Sequence, residues 1–237
     1  MRSAGLVPAF FMNRRIKSML ECIEPSSRGV IDVGTDHGIL PVALALHGYQ
    51  GNIVASDIRK GPLQHAMNTA EQAGVSDRIT FTLCDGLSEE FCEWIDTIVI
   101  AGMGGALTVK ILTEGRDVLG TVSQLVLQPQ SELFLVRKWL RNEGYNITKE
   151  CFLVDADKPY FVIDARPGEP TPHTDEENAF FDEYSEYLCK EKNPLYREYL
   201  KKGIENNESY LKGMPEEKRG ELIRKTELMK KALLMTE

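Results

Sequence analysis

The chain has 237 residues, 42% of them hydrophobic, and carries a formal net charge of −8 at pH 7. This length suits one large domain, or one domain with an appendage. The acidic total excludes a uniformly basic nucleic-acid-binding protein, although a local basic face stays open because binding follows the local field. No apolar run approaches the roughly 18 residues of a membrane-spanning helix, so we expect no membrane partner and a cytoplasmic location.

The amino-terminal residues do not resemble an export signal. The apolar stretch at 4–12 runs directly into Asn13-Arg14-Arg15 and has no small-residue cleavage site. One hypothesis is that Met12 is the natural start and that residues 1–11 are not part of the native protein. The five cysteines are scattered without the paired spacing of a zinc site, which indicates reduced thiols and no bound metal.

Apolar periodicity predicts a helix over 14–23 and then strands that alternate with helices. Such alternation indicates a parallel, doubly wound sheet. Two later strands have no helix between them, so we expect a hairpin that closes the sheet with an antiparallel strand. Five parallel strands and a terminal hairpin are the outline of an α/β, class I (Rossmann-like) methyltransferase sheet. The predicted strands are 30–33, 52–56, 78–83, 95–101, 125–127, 145–154 and 160–165.

Beyond the hairpin the pattern changes to charged helices. The proline-rich polar segment 166–174 predicts a linker, which divides the chain into a domain of residues 1–168 and a helical tail of residues 169–237. Asn193 followed by Pro194 predicts a helix start. We expect two or three helices that fold back as an antiparallel coiled coil, and a protein that is a monomer or a weak dimer.

The first predicted strand runs into two glycines four residues apart, Gly34 and Gly38, before a helical pattern begins. A strand, a glycine turn and a helix let a ligand approach bare backbone at the carboxyl end of the strand. Acids follow three successive strands: Asp36, Asp57 and Asp85. An acid after the second strand can accept the ribose hydroxyls of a nucleoside cofactor.

The charge of the first turn distinguishes two classes of cofactor. Asp36 lies where a helix N-terminus would otherwise bind a diphosphate. Its carboxylate repels a diphosphate and favours S-adenosylmethionine, which carries a sulfonium and an ammonium group. Taken singly, a glycine turn can be structural and His37 can be a helix cap. The predicted cofactor-binding residues are Asp32, Gly34, Asp36, His37, Gly38, Asp57, Ile58, Asp85, Gly86 and Gly102.

Several blocks together resemble the bacterial tRNA (adenine-22-N1)-methyltransferases. They are Asp32-Val33-Gly34-Thr35-Asp36-His37-Gly38, Ser56-Asp57-Ile58, Lys60-Gly61-Pro62-Leu63, Cys84-Asp85-Gly86-Leu87, Ile100-Ala101-Gly102-Met103-Gly104-Gly105 and Leu127-Gln128-Pro129. The resemblance covers residues 12–166 in collinear order and, more loosely, the tail. It implies a Rossmann-like catalytic domain, a coiled-coil tail, S-adenosylmethionine as donor and tRNA as acceptor. It departs at Phe161, where we expect an acid, and at Phe181-Asp182-Glu183, where we expect Phe-Gly-Pro.

Adenine N1 has a free lone pair, so such an enzyme needs mainly to align donor and acceptor. A carboxylate near the acceptor would stabilise the cationic product. Glycines at the end of the fourth strand leave room for a flat base, and Gln128 can hydrogen-bond its edge. Met103 is equally consistent with a core methionine. The predicted catalytic residues are Asp36, Gly102, Met103, Gln128 and Pro129.

Basic residues at both ends of the chain are candidates for contact with RNA phosphates. In the tail they alternate with glutamates, so a solvated helix face is the stronger alternative. The predicted tRNA contacts are Arg14, Arg15, Lys17, Lys190, Lys192 and Arg197. Two other functions stay open: a methyltransferase of this fold with a small-molecule or protein acceptor, and a non-catalytic binding module.

Overall fold

The computed structural model describes residues 13–91 and 93–237. The hypothesis about the natural start therefore lies outside the described residues. Along the chain the elements are α1 (Arg14–Cys22), β1 (Gly29–Val33), α2 (Ile39–Leu46), β2 (Asn52–Asp57), α3 (Lys60–Gln72), β3 (Ile79–Leu83), β4 (Thr97–Gly104), α4 (Gly105–Glu114), α5 (Arg116–Leu119), β5 (Gln124–Ser131), α6 (Leu133–Asn142), β6 (Tyr145–Asp155), β7 (Lys158–Pro167), α7 (Asp175–Glu183), α8 (Glu186–Lys190), α9 (Pro194–Gly213) and α10 (Arg219–Met235).

The seven strands form one sheet in the order β3-β2-β1-β4-β5-β7-β6. The first five strands are parallel, and β7 joins β5 and β6 in antiparallel pairs. Every residue of β1 is buried because helices cover both faces of the sheet. Val30 packs with α1 and α2, whereas Ile31 packs with α4 and α6. The predicted methyltransferase sheet with its terminal hairpin is confirmed.

Two strands are longer than the sequence predicts. The glycine block after residue 101 and the segment Gln128-Pro129-Gln130 were expected to end β4 and β5. Instead the two strands stay paired to their ends, with Ala101 opposite Gln128 and Met103 opposite Pro129. Gly102 has no partner in this register and forms a bulge. The pairing continues through the glycines because the bulge absorbs the extra residue.

The tail has four α-helices in the described residues, more than the two or three expected. Ser185 separates α7 from α8 because its side chain caps α8, accepting a hydrogen bond from the backbone of Leu188. Asn193 caps α9 as predicted. The pairs Lys230–Glu208 and Arg197–Glu237, each 3.0 Å, show that α9 and α10 are antiparallel. The coiled coil and the domain boundary after residue 168 stay predictions.

Aromatic side chains attach the tail to the hairpin. Phe152 of β6 and Phe161 of β7 are buried against Tyr196 of α9, with ring centroids 5.6 and 6.1 Å from it. Phe161, which departs from the family resemblance, therefore belongs to this apolar contact. None of the described helices is long and apolar enough to span a bilayer.

Candidate active site

A cavity of about 560 Å³ lies at the carboxyl ends of β1, β2 and β4 and is partly covered by α1. This is where a ligand binds in open parallel sheets. Its lining residues come from α1, from the ends of β1 and β2 and the turns after them, from the start of α2, and from the ends of β4 and β5 with the start of α4. They are Arg15, Ile16, Met19, Asp32, Gly34, Thr35, Asp36, His37, Ile39, Leu40, Asp57, Ile58, Arg59, Ala101, Gly102, Met103, Leu107 and Gln130.

The turn after β1 presents bare backbone to this crevice. Gly34 has a φ of +72°, a left-handed conformation that favours glycine. The N–H groups of Gly34 and Thr35 both donate to the carbonyl of Ser56 at 2.9 Å, which fixes the turn against β2. A Cβ on Gly34 would lie 2.1 Å from Cε of Met103. A side chain at this position would therefore collide with Met103, which packs against the bare backbone of the turn.

Asp57 links the two turns that form the crevice floor. Its carboxylate accepts hydrogen bonds from the backbone N–H of Arg59 at 2.9 Å and of Asp36 at 3.4 Å. The residue is buried, and each carboxylate oxygen has lone pairs left for a ligand. Ile58, the next residue, is 59% exposed. A buried acid followed by an exposed apolar side chain suits a ribose and an attached base.

Asp32 lies at the end of β1 beneath the turn. It accepts a hydrogen bond from Thr35 Oγ1 at 2.8 Å. Burial raises the pKa of Asp32 to about 6, although the Thr35 hydrogen bond and the Arg15 charge act in the opposite direction. A buried acid with a raised pKa in a cleft is typical of a functional site.

Arg15 lies in the crevice wall, where the sequence did not place it. The sequence analysis assigned it to RNA contact, whereas its guanidinium lies 5.8 Å from the ring centroid of Tyr160 and acts on Asp32. The helical spacing in the sequence could have indicated this position. Arg15 precedes the buried Met19 by four residues and therefore lies on the same face of α1. Among the described residues, the arginines that line the crevice are Arg15 and Arg59, and Arg59 lies 3.8 Å from Asp57.

The far end of the crevice is formed by β4 and β5. Gly102 has a φ of +80° in its bulge, and Met103 and Gln130 lie beside it. Gln128 and Pro129 are buried and do not line the cavity. Among the described residues, Oε1 of Gln128 has no hydrogen-bond partner. Gln130 follows them in the segment expected to line the base pocket but is not among the predicted catalytic residues, and it takes the exposed position two residues further along β5.

Three further predicted cofactor residues lie outside the cavity lining. Asp85 and Gly86 follow β3 at the same edge of the sheet, and Asp85 is exposed. Gly38 is buried, and a Cβ there would lie 2.8 Å from the Cβ of Ala66. Asp36 and His37 line the crevice with exposed side chains, and His37 Nε2 is 3.6 Å from a carboxylate oxygen of Asp36.

Apart from Arg15, the predicted RNA contacts all have partners within the chain. Arg14 donates to the carbonyl of Val154 at 3.5 Å, and Lys17 pairs with Glu21 at 3.7 Å. In the tail, Lys190 pairs with Glu186, and both Lys192 and Arg197 contact Glu237. No group of three or more His, Cys, Asp or Glu residues in the described chain could hold a metal ion.

The comparisons with known proteins identify the family of this chain. The model of the tRNA (adenine(22)-N(1))-methyltransferase family matches residues 30–234. The chain belongs to this family. A relative named tRNA (adenine(22)-N(1))-methyltransferase, from Bacillus subtilis, is 30% identical over 206 residues, which are 84% of this chain and 83% of that protein.

Two solved structures extend the likeness to the whole fold. A putative tRNA (m1A22) methyltransferase of Streptococcus pneumoniae, in complex with S-adenosyl-L-methionine, has a TM-score of 0.82 at 29% identity and covers 94% of this chain and 99% of its own. M. capricolum TrmK, in complex with S-adenosyl-homocysteine, has a TM-score of 0.80 at 25% identity. The match covers 96% of this chain and 100% of that chain. The chain is therefore a class I methyltransferase, as the sequence predicts.

Proposed function

We propose that this protein transfers a methyl group from S-adenosylmethionine to N1 of adenine 22 in tRNA. The observation that carries the proposal is the crevice itself, in which Asp32, Asp36 and Asp57 surround the bare backbone of Gly34. Carboxylates suit a cofactor that carries positive charges and no phosphate. Two alternatives fit the observations less well: a methyltransferase with another acceptor and a non-catalytic binding module. Neither accounts for membership of this family.

The residues present fit the cofactor from end to end. Asp57 accepts the ribose hydroxyls, and Ile58 packs against the adenine ring, with Asp85 and Gly86 assigned to the outer edge of that base. Gly34 lets the backbone approach the ligand, and Gly38 supports the turn from below through its contact with Ala66.

The charges at the other end suit the amino-acid part of the cofactor. Asp32 and Asp36 offset the ammonium and sulfonium charges, while Arg15 binds the carboxylate. Arg15 is suited to this because a guanidinium matches the geometry of a carboxylate, and because Arg59 is already paired with Asp57. The same arrangement keeps Asp32 ionised when the site is occupied.

When bound, S-adenosylmethionine supplies a methyl group on a sulfonium, which the lone pair of adenine N1 can take without prior loss of a proton. The chain therefore needs to hold the base in line, and such alignment is worth several kcal/mol. We assign this role to Gly102, which leaves room for the ring, and to Met103, Leu107 and Gln130 around it. Gln128 and Pro129, buried in β5 next to the cavity wall, hold these residues in position. Asp36 stabilises the cationic product.

The decisive experiment is the transfer of labelled methyl from S-adenosylmethionine to an unmodified tRNA transcript, followed by nucleoside analysis. We expect 1-methyladenosine with the wild-type protein, none with a transcript in which adenine 22 is replaced by uridine, and none with Asp57→Ala. Asp77→Ala is the matched control, because Asp77 is an exposed acid outside the crevice. Cofactor binding without any methylated nucleoside would contradict the tRNA assignment and leave the fold intact.

The oligomeric state and the location of the protein are separate expectations. We expect the protein to act as a monomer or a weak dimer, which sedimentation across a concentration series would test. A cytoplasmic location accords with a tRNA substrate.

A further inference from the structure

Two histidines at the mouth of the crevice form a stacked pair. The rings of His37 and His65 have centroids 5.4 Å apart and planes only 7° from parallel. Both residues are exposed, and His37 lines the crevice. The stacked pair therefore offers an outer ring face at the entrance of the site. The sequence analysis counted His37 among the cofactor-binding residues, but the cofactor contacts proposed above do not use it.

The backbone brings these rings together through their neighbours in the chain. Gly38 follows His37, and Ala66 follows His65. A Cβ on Gly38 would lie 2.8 Å from the Cβ and 2.9 Å from the Cα of Ala66, so α2 and α3 approach each other here without a side chain between them. Gly38 and Ala66 are both buried. This close contact fixes the preceding residues side by side at the surface.

The surroundings of the pair suit a nucleic acid better than a protein core. Lys60, at the beginning of α3, is exposed, and Arg59 before it keeps a side chain that is 73% exposed although it lies 3.8 Å from Asp57. Asp36 is the acid nearest to His37, at 3.6 Å. Flat rings beside exposed cations are the combination with which proteins bind single-stranded nucleotides, since bases stack on the rings and phosphates contact the cations.

We propose that the His37–His65 pair is a stacking platform for an unpaired base of the RNA, adjacent to the adenine that enters the crevice. This rests on the proposed function. N1 lies on the pairing edge of adenine, so the target nucleotide must leave its stack before it can react. The base beside it then loses a stacking neighbour, and the histidine rings replace that neighbour at the crevice mouth.

The test compares the full-length wild-type protein with His37→Ala, His65→Ala and the double variant. His37→Phe and His65→Phe keep a flat ring without the imidazole nitrogens. His47→Ala is the matched control, because His47 is an exposed histidine at the other end of α2. Each protein is assayed for kcat and KM with the tRNA transcript and for the dissociation constant of S-adenosylmethionine.

We expect each alanine variant to raise the KM for tRNA about tenfold, since stacking of one base has this order of effect. The dissociation constant of the cofactor should stay within about twofold, the phenylalanine variants should restore the KM, and His47→Ala should match the wild type. An unchanged KM in the double alanine variant would overturn the proposal. So would a cofactor affinity that falls with the KM, because the rings would then bind the donor.

A second measurement reports the stacking itself. 2-Aminopurine placed beside adenine 22 in the transcript is quenched by a stacking neighbour, so its fluorescence shows whether the rings replace the adenine that leaves. At one of the two flanking positions we expect the fluorescence to stay low when the wild-type protein binds and to rise when the double alanine variant binds, with the cofactor affinity of that variant showing that it is folded. The same change with both proteins at both positions would refute the platform. If the wild-type protein methylates tRNA but the two proteins give the same fluorescence, only this inference fails; if it methylates no tRNA, the proposed function fails as well.

Discussion

The terminal methyl group of Met103 lies over the bare α-carbon of Gly34, so that a Cβ on Gly34 would be 2.1 Å from Met103 Cε. Met103 thereby joins the acceptor end of the crevice to the cofactor turn. We expect Gly34→Ala to lower the free energy of unfolding by about 1–2 kcal/mol, because alanine resists the φ of +72°. It should also weaken cofactor binding, which calorimetry measures.

The double variant Gly34→Ala/Met103→Ala separates the two causes. Removal of the methionine side chain relieves the contact but not the backbone strain. Stability should therefore recover in part while cofactor affinity stays low. Full recovery of both would mean that the side-chain contact, and not the backbone of Gly34, is what matters.

Gly102 and Gly105 belong to the same glycine block and should behave differently when replaced by alanine. A Cβ on Gly105 would be 2.4 Å from the carbonyl oxygen of Glu132, a backbone atom that cannot move aside easily. Gly105→Ala should cost about 1–3 kcal/mol in urea unfolding. A Cβ on Gly102 has its nearest neighbour at 3.7 Å, Nε2 of Gln130.

Gly102→Ala should therefore fold with a smaller loss, since only its φ of +80° is strained. Because its new methyl group would point into the proposed base pocket, kcat/KM for tRNA should fall more than about tenfold. Gly102 is also a predicted cofactor-binding residue, so the assignment to the base requires that cofactor affinity fall less than kcat/KM. Gly102→Val should be worse in both respects. Full methylation by Gly102→Val would exclude this end of the crevice as the base pocket.

The sequence was sufficient for the five parallel strands, the terminal hairpin and the ends of β1 and β2, whereas the order of the strands in the sheet came from the structure. Asp57 and Gly34 line the crevice at strand ends that the sequence could locate, and their predicted roles rest on what residues of these types can bind. Gln128 and Gln130 show the limit of this reasoning. Both follow an apolar strand, and only the length of β5 and its pairing through the Gly102 bulge decide which amide reaches the crevice.

Long-range contacts were equally beyond the sequence pattern. Nothing local distinguishes Arg15 from Arg14, yet the first lines the crevice and the second donates to the hairpin. Likewise, the stacking of His37 on His65 depends on the approach of two helices at Gly38. Periodicity gives the face of a helix, but it does not give the element that the face meets.

Asp32 should make stability and cofactor binding depend on pH. With its pKa raised from 3.8 to about 6 by burial, the folded chain holds this proton between about pH 4 and 6 when the unfolded chain has released it. The free energy of unfolding should therefore fall as the pH rises through this window, by up to about 3 kcal/mol. Cofactor affinity should rise over the same range, because the ionised carboxylate attracts the bound cation.

Asp32→Asn provides the comparison, since its amide oxygen can still accept the Thr35 hydrogen bond. Urea unfolding at several pH values between 4 and 7 should show a smaller loss of stability with rising pH in the variant than in the wild type. Cofactor affinity of the variant should be lower at pH 7 and nearly independent of pH. Parallel curves for the two proteins would show that Asp32 titrates with an ordinary pKa.

The buried ion pair between Arg137 and Glu150 connects α6 and β6 to the tail. The two groups are 2.5 Å apart with side chains 4% and 1% exposed, and Ser185 donates to the other carboxylate oxygen. Arg137→Met leaves the Glu150 charge buried without its cation, which should cost about 3–5 kcal/mol. Arg141→Met, on the same helix, removes a more exposed pair with Asp182 and should cost about 1 kcal/mol.

The double variant Arg137→Met/Glu150→Gln tests the cause of this loss. Glutamine is uncharged and can still accept the hydrogen bond of Ser185, so no unpaired charge remains buried. Urea unfolding should find it more stable than Arg137→Met alone by at least about 1 kcal/mol, although it carries one more substitution. If the second substitution only adds to the loss, the cost comes from the bonds that Arg137 donates to the carbonyls of Asp182 and Glu183 and not from the buried charge.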